Sequence, residues 1–140
     1  MRYELIIEGK GGTIKLASLS DNDNIISRVD FLIAQEDLEA GSKANNLFNT
    51  LVIEGEIQEK TQNETRELLE WSRKMDQDSY RTVSLKIKQT RDVIRDYYLK
   101  EMFCVSYQEH FFEEKGNTYG RFVLKLRQRK GAIETIVVDC

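Results

Sequence analysis

The sequence predicts a mainly β fold, a small antiparallel β-barrel or two-sheet sandwich of about eight short strands, with one α-helix flanking it at about residues 62–76. Three observations lead there. Residues 102–128 read as a long hairpin whose arms alternate with period two: Phe103, Val105 and Tyr107 against Cys104, Ser106 and Gln108, then Phe122, Leu124 and Leu126 against Arg121, Lys125 and Arg127. Between the arms, Glu113, Glu114, Lys115, Gly116 and Asn117 are polar, and Gly116 or Asn117 can take the positive φ that a tight reversal needs. The period changes to that of a helix only once, after Thr61, and strands do not alternate with helices as a parallel sheet would require.

Taken in order, Tyr3, Leu5 and Ile7 alternate with polar neighbours until Gly9, Lys10, Gly11 and Gly12 break the pattern, a strand and a turn. Ile14 and Leu16 mark a second strand, closed by the turn-forming run Asp21, Asn22, Asp23, Asn24. Residues 25–35 are apolar enough for a strand on either parity, with Arg28 and Asp30 interrupting. Residues 36–49 form the longest irregular segment, with only Leu38, Leu47 and Phe48 to bury; in compact domains, loops of about 12 residues or more are usually functional or disordered. Strand character returns at 50–58, where Leu51, Ile53 and Ile57 share a parity. Thr61 followed by Glu64 has the spacing of a capping box, and Leu68, Trp71, Ser72 and Met75 then recur at three and four residues, the apolar face of a helix. Val83, Leu85 and Ile87 against Thr82, Ser84, Lys86 and Lys88 make a clear strand, which residues 89–92 reverse into another at 93–99. Lys100 and Glu101 lead into the long hairpin, and 133–138 offers a last strand.

The 140 residues suit a single domain spanning 1–140. Net charge is −3, from 21 basic and 24 acidic residues, which argues against a protein whose task is to neutralise a phosphate backbone. Arg2, Glu4 and Glu8 interrupt the first apolar stretch, so it is neither signal peptide nor anchor, and no apolar run reaches membrane-spanning length. The expectation is a protein made in the cytoplasm that inserts into no membrane and leaves the cell only as part of a machine or as its cargo.

No catalytic constellation emerges. His110 is the one histidine, the carboxylates are dispersed, and Cys104 and Cys140 lie in no zinc or redox spacing, so no metal, cofactor or enzymatic activity is expected. Gly9, Gly11 and Gly12 lack the lysine, hydroxyl and following helix of a phosphate loop. The short basic cluster at Arg127, Arg129 and Lys130 fits a solvated strand end or a subunit contact better than a nucleic-acid site in a chain with an acidic total.

From Thr61 onward the residues resemble the tube-forming proteins of contractile injection systems: the haemolysin-coregulated protein of type VI secretion and its relatives in phage tails and phage-tail-like particles. The resemblance is carried by the helix Glu64-Thr65-Arg66-Glu67-Leu68-Leu69-Glu70-Trp71-Ser72, the strand Tyr80-Arg81-Thr82-Val83-Ser84-Leu85, Val105-Ser106-Tyr107-Gln108-Glu109 before the turn, and Phe122-Val123-Leu124-Lys125-Leu126-Arg127-Gln128-Arg129-Lys130 after it. This pattern is similar to a Gram-positive branch often labelled "membrane-associated protease", although neither a protease constellation nor a membrane segment is present.

The resemblance implies a structural inner-tube protein that forms hexameric rings stacked into a hollow tube. Its partners would be itself, the sheath and baseplate or spike of the same machine, and effector cargo in the lumen, with nucleic acid only as cargo. It further implies that the irregular segment reaches the adjacent ring. Leu38, Leu47 and Phe48 would then dock there, and Glu36, Asp37, Glu39 and Lys43 would set register through charge. Either Thr82, Ser84, Lys86 and Lys88 or Arg121, Lys125 and Arg127 would face the lumen. The alternative is a monomeric barrel that binds a small ligand or a secreted effector.

Overall fold

The computed structural model describes residues 1–35, 47–74, 79–129 and 137–139. The strands described are β1 Arg2–Gly9, β2 Gly12–Ala17, β3 Arg28–Gln35, β4 Leu47–Glu56, β5 Arg81–Gln89, β6 Asp92–Glu114, β7 Asn117–Gln128 and β8 Val137–Asp139. One helix, α1 Gln62–Ser72, follows a 3-10 turn at Glu59–Thr61. The strands form one antiparallel sheet in the order β2-β1-β5-β6-β7-β4-β3, with β8 on β6, which is the mainly β architecture with a single flanking helix that the periodicities predict.

The organising element is β6, whose 23 residues replace the two strands expected at 93–99 and 102–108. Residues 92–102 pair with β5 and residues 102–114 pair with β7, so one strand turns the corner between two hairpins. The pairing shifts opposite Arg81 and Val83, and Glu101 takes a positive φ of 55° there, the signature of a bulge that bends a strand and increases its twist. Neighbours clasp this corner: Gln128 Nε2 donates to the Lys100 carbonyl at 3.0 Å, and the Arg129 amide donates to the Glu101 carbonyl at 2.9 Å. A second register shift falls between Cys104 and Ser106. It moves Val105 out of the apolar face expected of it, leaving it exposed, while Met102 is buried and Cys104 and Tyr107 pack against the core. Each bulge exchanges the two faces of the strand, which is why strict alternation fails along this arm. At the hairpin tip, Lys115 and Gly116 both adopt positive φ, the backbone of a two-residue turn matched to strand twist.

One hydrophobic cluster gathers Leu5 and Ile7 from β1, Ile14 and Leu16 from β2, Leu51 and Ile53 from β4, Val83 and Leu85 from β5, and Phe122, Leu124 and Leu126 from β7. Strands at opposite ends of the sheet order share this core, so the sheet curls around it. The faces expected of β5 and β7 are those observed. Ile25 and Ile26 are buried too, but they precede β3 and do not belong to it. Gly55 makes this close approach possible, because a Cβ there would collide with the Ile25 carbonyl oxygen and lie 2.8 Å from the Phe122 ring.

Helix α1 buries Thr65, Leu68 and Trp71 at three-residue spacing and packs against β6 and β2. It ends at Ser72 with Arg73 as its C-cap, about one turn short of the expected end near 76, and Met75 and Asp76 lie outside the described residues. The expected capping box between Thr61 and Glu64 does not form, since Thr61 makes no side-chain cap bond to α1. Its hydroxyl instead accepts the Gln58 amide at 3.1 Å, closing the preceding 3-10 turn. The Thr-x-x-Glu spacing was real, but a competing local partner three residues earlier took the oxygen.

Candidate assembly surface

The sheet ends in two edge strands, β2 and β3, and a third stretch of unpaired backbone runs along residues 103–114 of β6, on the side opposite β7. Among the described residues nothing covers these edges with a further strand. β2 presents Thr13 and Lys15 outward between buried Ile14 and Leu16, the polar profile that discourages edge pairing. β3 is different. After Arg28 and Asp30, which pair with each other at 3.0 Å, it exposes Leu32 (57%) and Ile33 (53%) on successive, opposite faces. An edge strand apolar on both faces invites another chain.

The β6–β7 arm extends beyond the core and carries aromatic groups on both faces. On one, His110, Phe112 and Tyr119 stack in a row, with ring centroids 5.5 and 5.2 Å apart. On the other, Phe111 is exposed over Gly120, where an added Cβ would lie 2.7 Å from its ring. His110 sits in this stack and not beside a nucleophile, and no group of three or more His, Cys, Asp or Glu among the described residues could hold a metal.

Tyr107, at the base of the arm, donates to the Glu109 carboxylate at 2.9 Å, and its phenol is pushed well above the usual range by burial and then by that carboxylate. Burial likewise pushes the Cys104 thiol up to about 11, so it stays protonated and is a poor nucleophile at neutral pH.

The seven polar residues expected to line a lumen lie on the outer face of the sheet, in two groups with β6 between them. Ser84 and Lys86 of β5 stand opposite Ile6 and Glu4 of β1 and opposite Tyr98 and Asp96 of β6. Thr82 and Lys88 flank them, and Lys88 Nζ lies 3.6 Å from Glu4. On β7, Arg121 donates to the Ser27 hydroxyl at 3.3 Å, Lys125 stands between Val52 and Ser106, and the Arg127 guanidinium lies 4.5 Å from the centroid of the Phe48 ring. Of the residues expected to bridge rings, Glu36, Asp37, Leu38, Glu39 and Lys43 lie outside the described residues, whereas Leu47 and Phe48 begin β4.

Sequence reasoning missed Leu32, Ile33 and Phe111. The signal was present: Phe31-Leu32-Ile33 and Phe111-Phe112 place apolar residues on both faces of a strand, more than one core can absorb.

No helix among the described residues is long and apolar enough to cross a membrane. No protein-family model matches the chain, and no curated protein sequence matches it. Solved structures do. The fold is similar to Hcp1 from Flavobacterium johnsoniae, with a TM-score of 0.59 at 18% identity over 99% of this chain and 94% of that one. An Hcp1 variant from E. coli EAEC 042 gives 0.59 at 10% identity, covering 100% and 99%. A chain of the PVC sheath-tube complex, an extracellular contractile injection system in its extended state, gives 0.52 at 14% identity, covering 99% and 88%. The chain thus shares the Hcp-like fold along its whole length.

Proposed function

We propose that this chain is a structural inner-tube protein of a contractile injection system or phage-tail-like particle, assembling with itself into hexameric rings that stack into a hollow tube. The observation that carries this reading is the unpaired β3 edge with Leu32 and Ile33 exposed. In a closed ring each β3 edge would meet a different surface of the next subunit, such as β2 or the unpaired side of the β6 arm. Such head-to-tail contacts leave no edge free once the ring closes. The structural likeness to Hcp1 and to the sheath-tube complex supports it independently.

In this reading the single domain spans 1–140 and works by shape and charge, without enzymatic activity or a cofactor. The polar outer-face groups around Lys86 and around Lys125 are the candidates for the wet lumen wall. Residues Glu36, Asp37, Leu38, Glu39, Lys43, Leu47 and Phe48 make the contact between rings. The sheath surrounds the tube, the baseplate or spike receives its end, and effector cargo passes inside, all from a subunit made in the cytoplasm. The core is filled by side chains as large as Trp71 and Phe122, which supports a tube subunit over a barrel that holds a ligand in its interior.

Mass in solution combined with negative-stain micrographs tests the reading. Rings with a central hole are expected at high protein concentration, and Ile33→Lys should shift the population to folded monomer. A wild-type monomer at every concentration would overturn it.

A further inference from the structure

A cavity of about 320 Å³ opens between the β1–β2 turn and α1, with Gly11 on one wall, Glu67, Glu70 and Lys74 on the other, and Trp71 and Arg81 at its base. Arg81 is only 5% exposed, yet its Nε has no hydrogen-bond partner, and Glu67, which lines the same cavity, is the charge that favours its guanidinium. A buried guanidinium nitrogen left without an acceptor is costly, and a planar carboxylate satisfies two guanidinium donors at once. Its position is fixed from two sides. The Trp71 ring lies beneath it, 5.5 Å from centroid to guanidinium carbon, and a Cβ on Gly11 would lie 2.6 Å from Nη2. The glycine leaves room for the guanidinium itself at the cavity wall.

A simple anion would be drawn by Lys74 but opposed by Glu67 and Glu70, which line the same cavity three residues apart on one helical face. A ligand bearing both charges resolves that conflict. We propose that this cavity binds a small zwitterion of the amino-acid type, its carboxylate on Arg81 and its ammonium between Glu67 and Glu70. A volume of about 320 Å³ accommodates such a molecule and lies at the low end of small-molecule sites, about 300–1,000 Å³. Binding here does not require assembly, so a failed titration leaves the tube reading untouched.

Trp71 is the only tryptophan in the sequence and therefore reports on this cavity alone. Purified protein is titrated with glycine, acetate, methylammonium and inorganic phosphate while its fluorescence is followed. A saturable change with glycine is expected at millimolar concentration, a several-fold weaker one with acetate, and none with methylammonium. Arg81→Gln should weaken glycine binding at least tenfold. Should that variant fail to fold, the exposed double variant Glu67→Gln/Glu70→Gln decides: glycine should fall to the level of acetate, with acetate no weaker than before. Absence of saturation with glycine into the tens of millimolar overturns the proposal, as does phosphate binding more tightly than glycine, or an unchanged preference for glycine over acetate in the double variant.

Discussion

The indole nitrogen of Trp71 donates to the backbone carbonyl of Ser79 at 2.7 Å, tying the last turn of α1 to the chain entering β5. The ring is buried while its polar edge is satisfied, so size and hydrogen bond contribute separately. Trp71→Ala should cost about 3–5 kcal/mol through the cavity left behind. Trp71→Phe keeps much of the volume and should cost less, with about 1 kcal/mol from the lost bond. Denaturant melts of the two variants give the ordering, and a neutral alanine variant would mean that α1 does not pin the fold.

Thr61 and Glu64 offer a second ordering. The Thr61 hydroxyl accepts the Gln58 amide at 3.1 Å and can return its proton to the Gln58 carbonyl at 3.2 Å. Thr61→Ala should therefore cost about 1 kcal/mol. Glu64 makes no reciprocal cap, so Glu64→Ala should stay within about 0.5 kcal/mol of wild type. Equal losses in thermal melts would restore the capping box that the structure lacks.

Much of the fold was legible because a curled sheet with one wet face writes itself in period two. Val83, Leu85, Phe122, Leu124 and Leu126 fall inside as their alternation requires. What stayed hidden has a physical cause in each case. The bulge at Glu101 is compensated by partners far away in sequence, Gln128 and Arg129, and the one at Val105 lies opposite Leu126 and Lys125, so no local pattern announces either. The helix starts at Gln62 as expected, but its side-chain cap was misassigned because the amides of Gln58 and Glu64 compete for one hydroxyl, and only geometry decides between them. The exposed apolar edge of β3 was visible as the triplet Phe31-Leu32-Ile33, but an apolar run looks the same whether it faces a core or a neighbour.

Asp23 gives a prediction in pH. Its carboxylate accepts the amides of Leu19 at 2.6 Å, Ser20 at 3.1 Å and Ile25 at 3.2 Å. Partial burial works to raise its pKa, but these three amides, helped by Lys60, outweigh it and hold the group below the usual carboxylate range. A depressed folded-state pKa contributes stability that is fully present above the unfolded value and is lost as pH falls through the folded one. Asp23→Asn, which keeps an acceptor but no charge, should cost about 1–2 kcal/mol at pH 7. The gap from wild type should begin to close below about pH 4. Urea melts at pH 7 and pH 3 compare the two proteins, and a gap of the same size at both would refute the amide cluster as its source.

The last prediction separates ring closure from ring stacking. Closure along the β3 edge would pair backbone groups, and Leu32 and Ile33, exposed on either side of that edge, would seal it. Stacking in the proposed tube would rest on other residues, Leu38, Leu47 and Phe48 for apolar contact and Glu36, Asp37, Glu39 and Lys43 for register. A contact set by charge also weakens as salt rises, whereas one set by strand pairing and apolar burial does so much less. Replacing residues 38–46 with a short Gly-Ser linker should therefore leave a folded protein that still forms single rings in micrographs but no longer elongates. Ile33→Lys should instead abolish the rings themselves. Added salt should shorten wild-type tubes before it dissolves rings. Tubes of normal length from the linker variant would remove the stacking role from this segment, and rings surviving Ile33→Lys would move the ring contact away from β3.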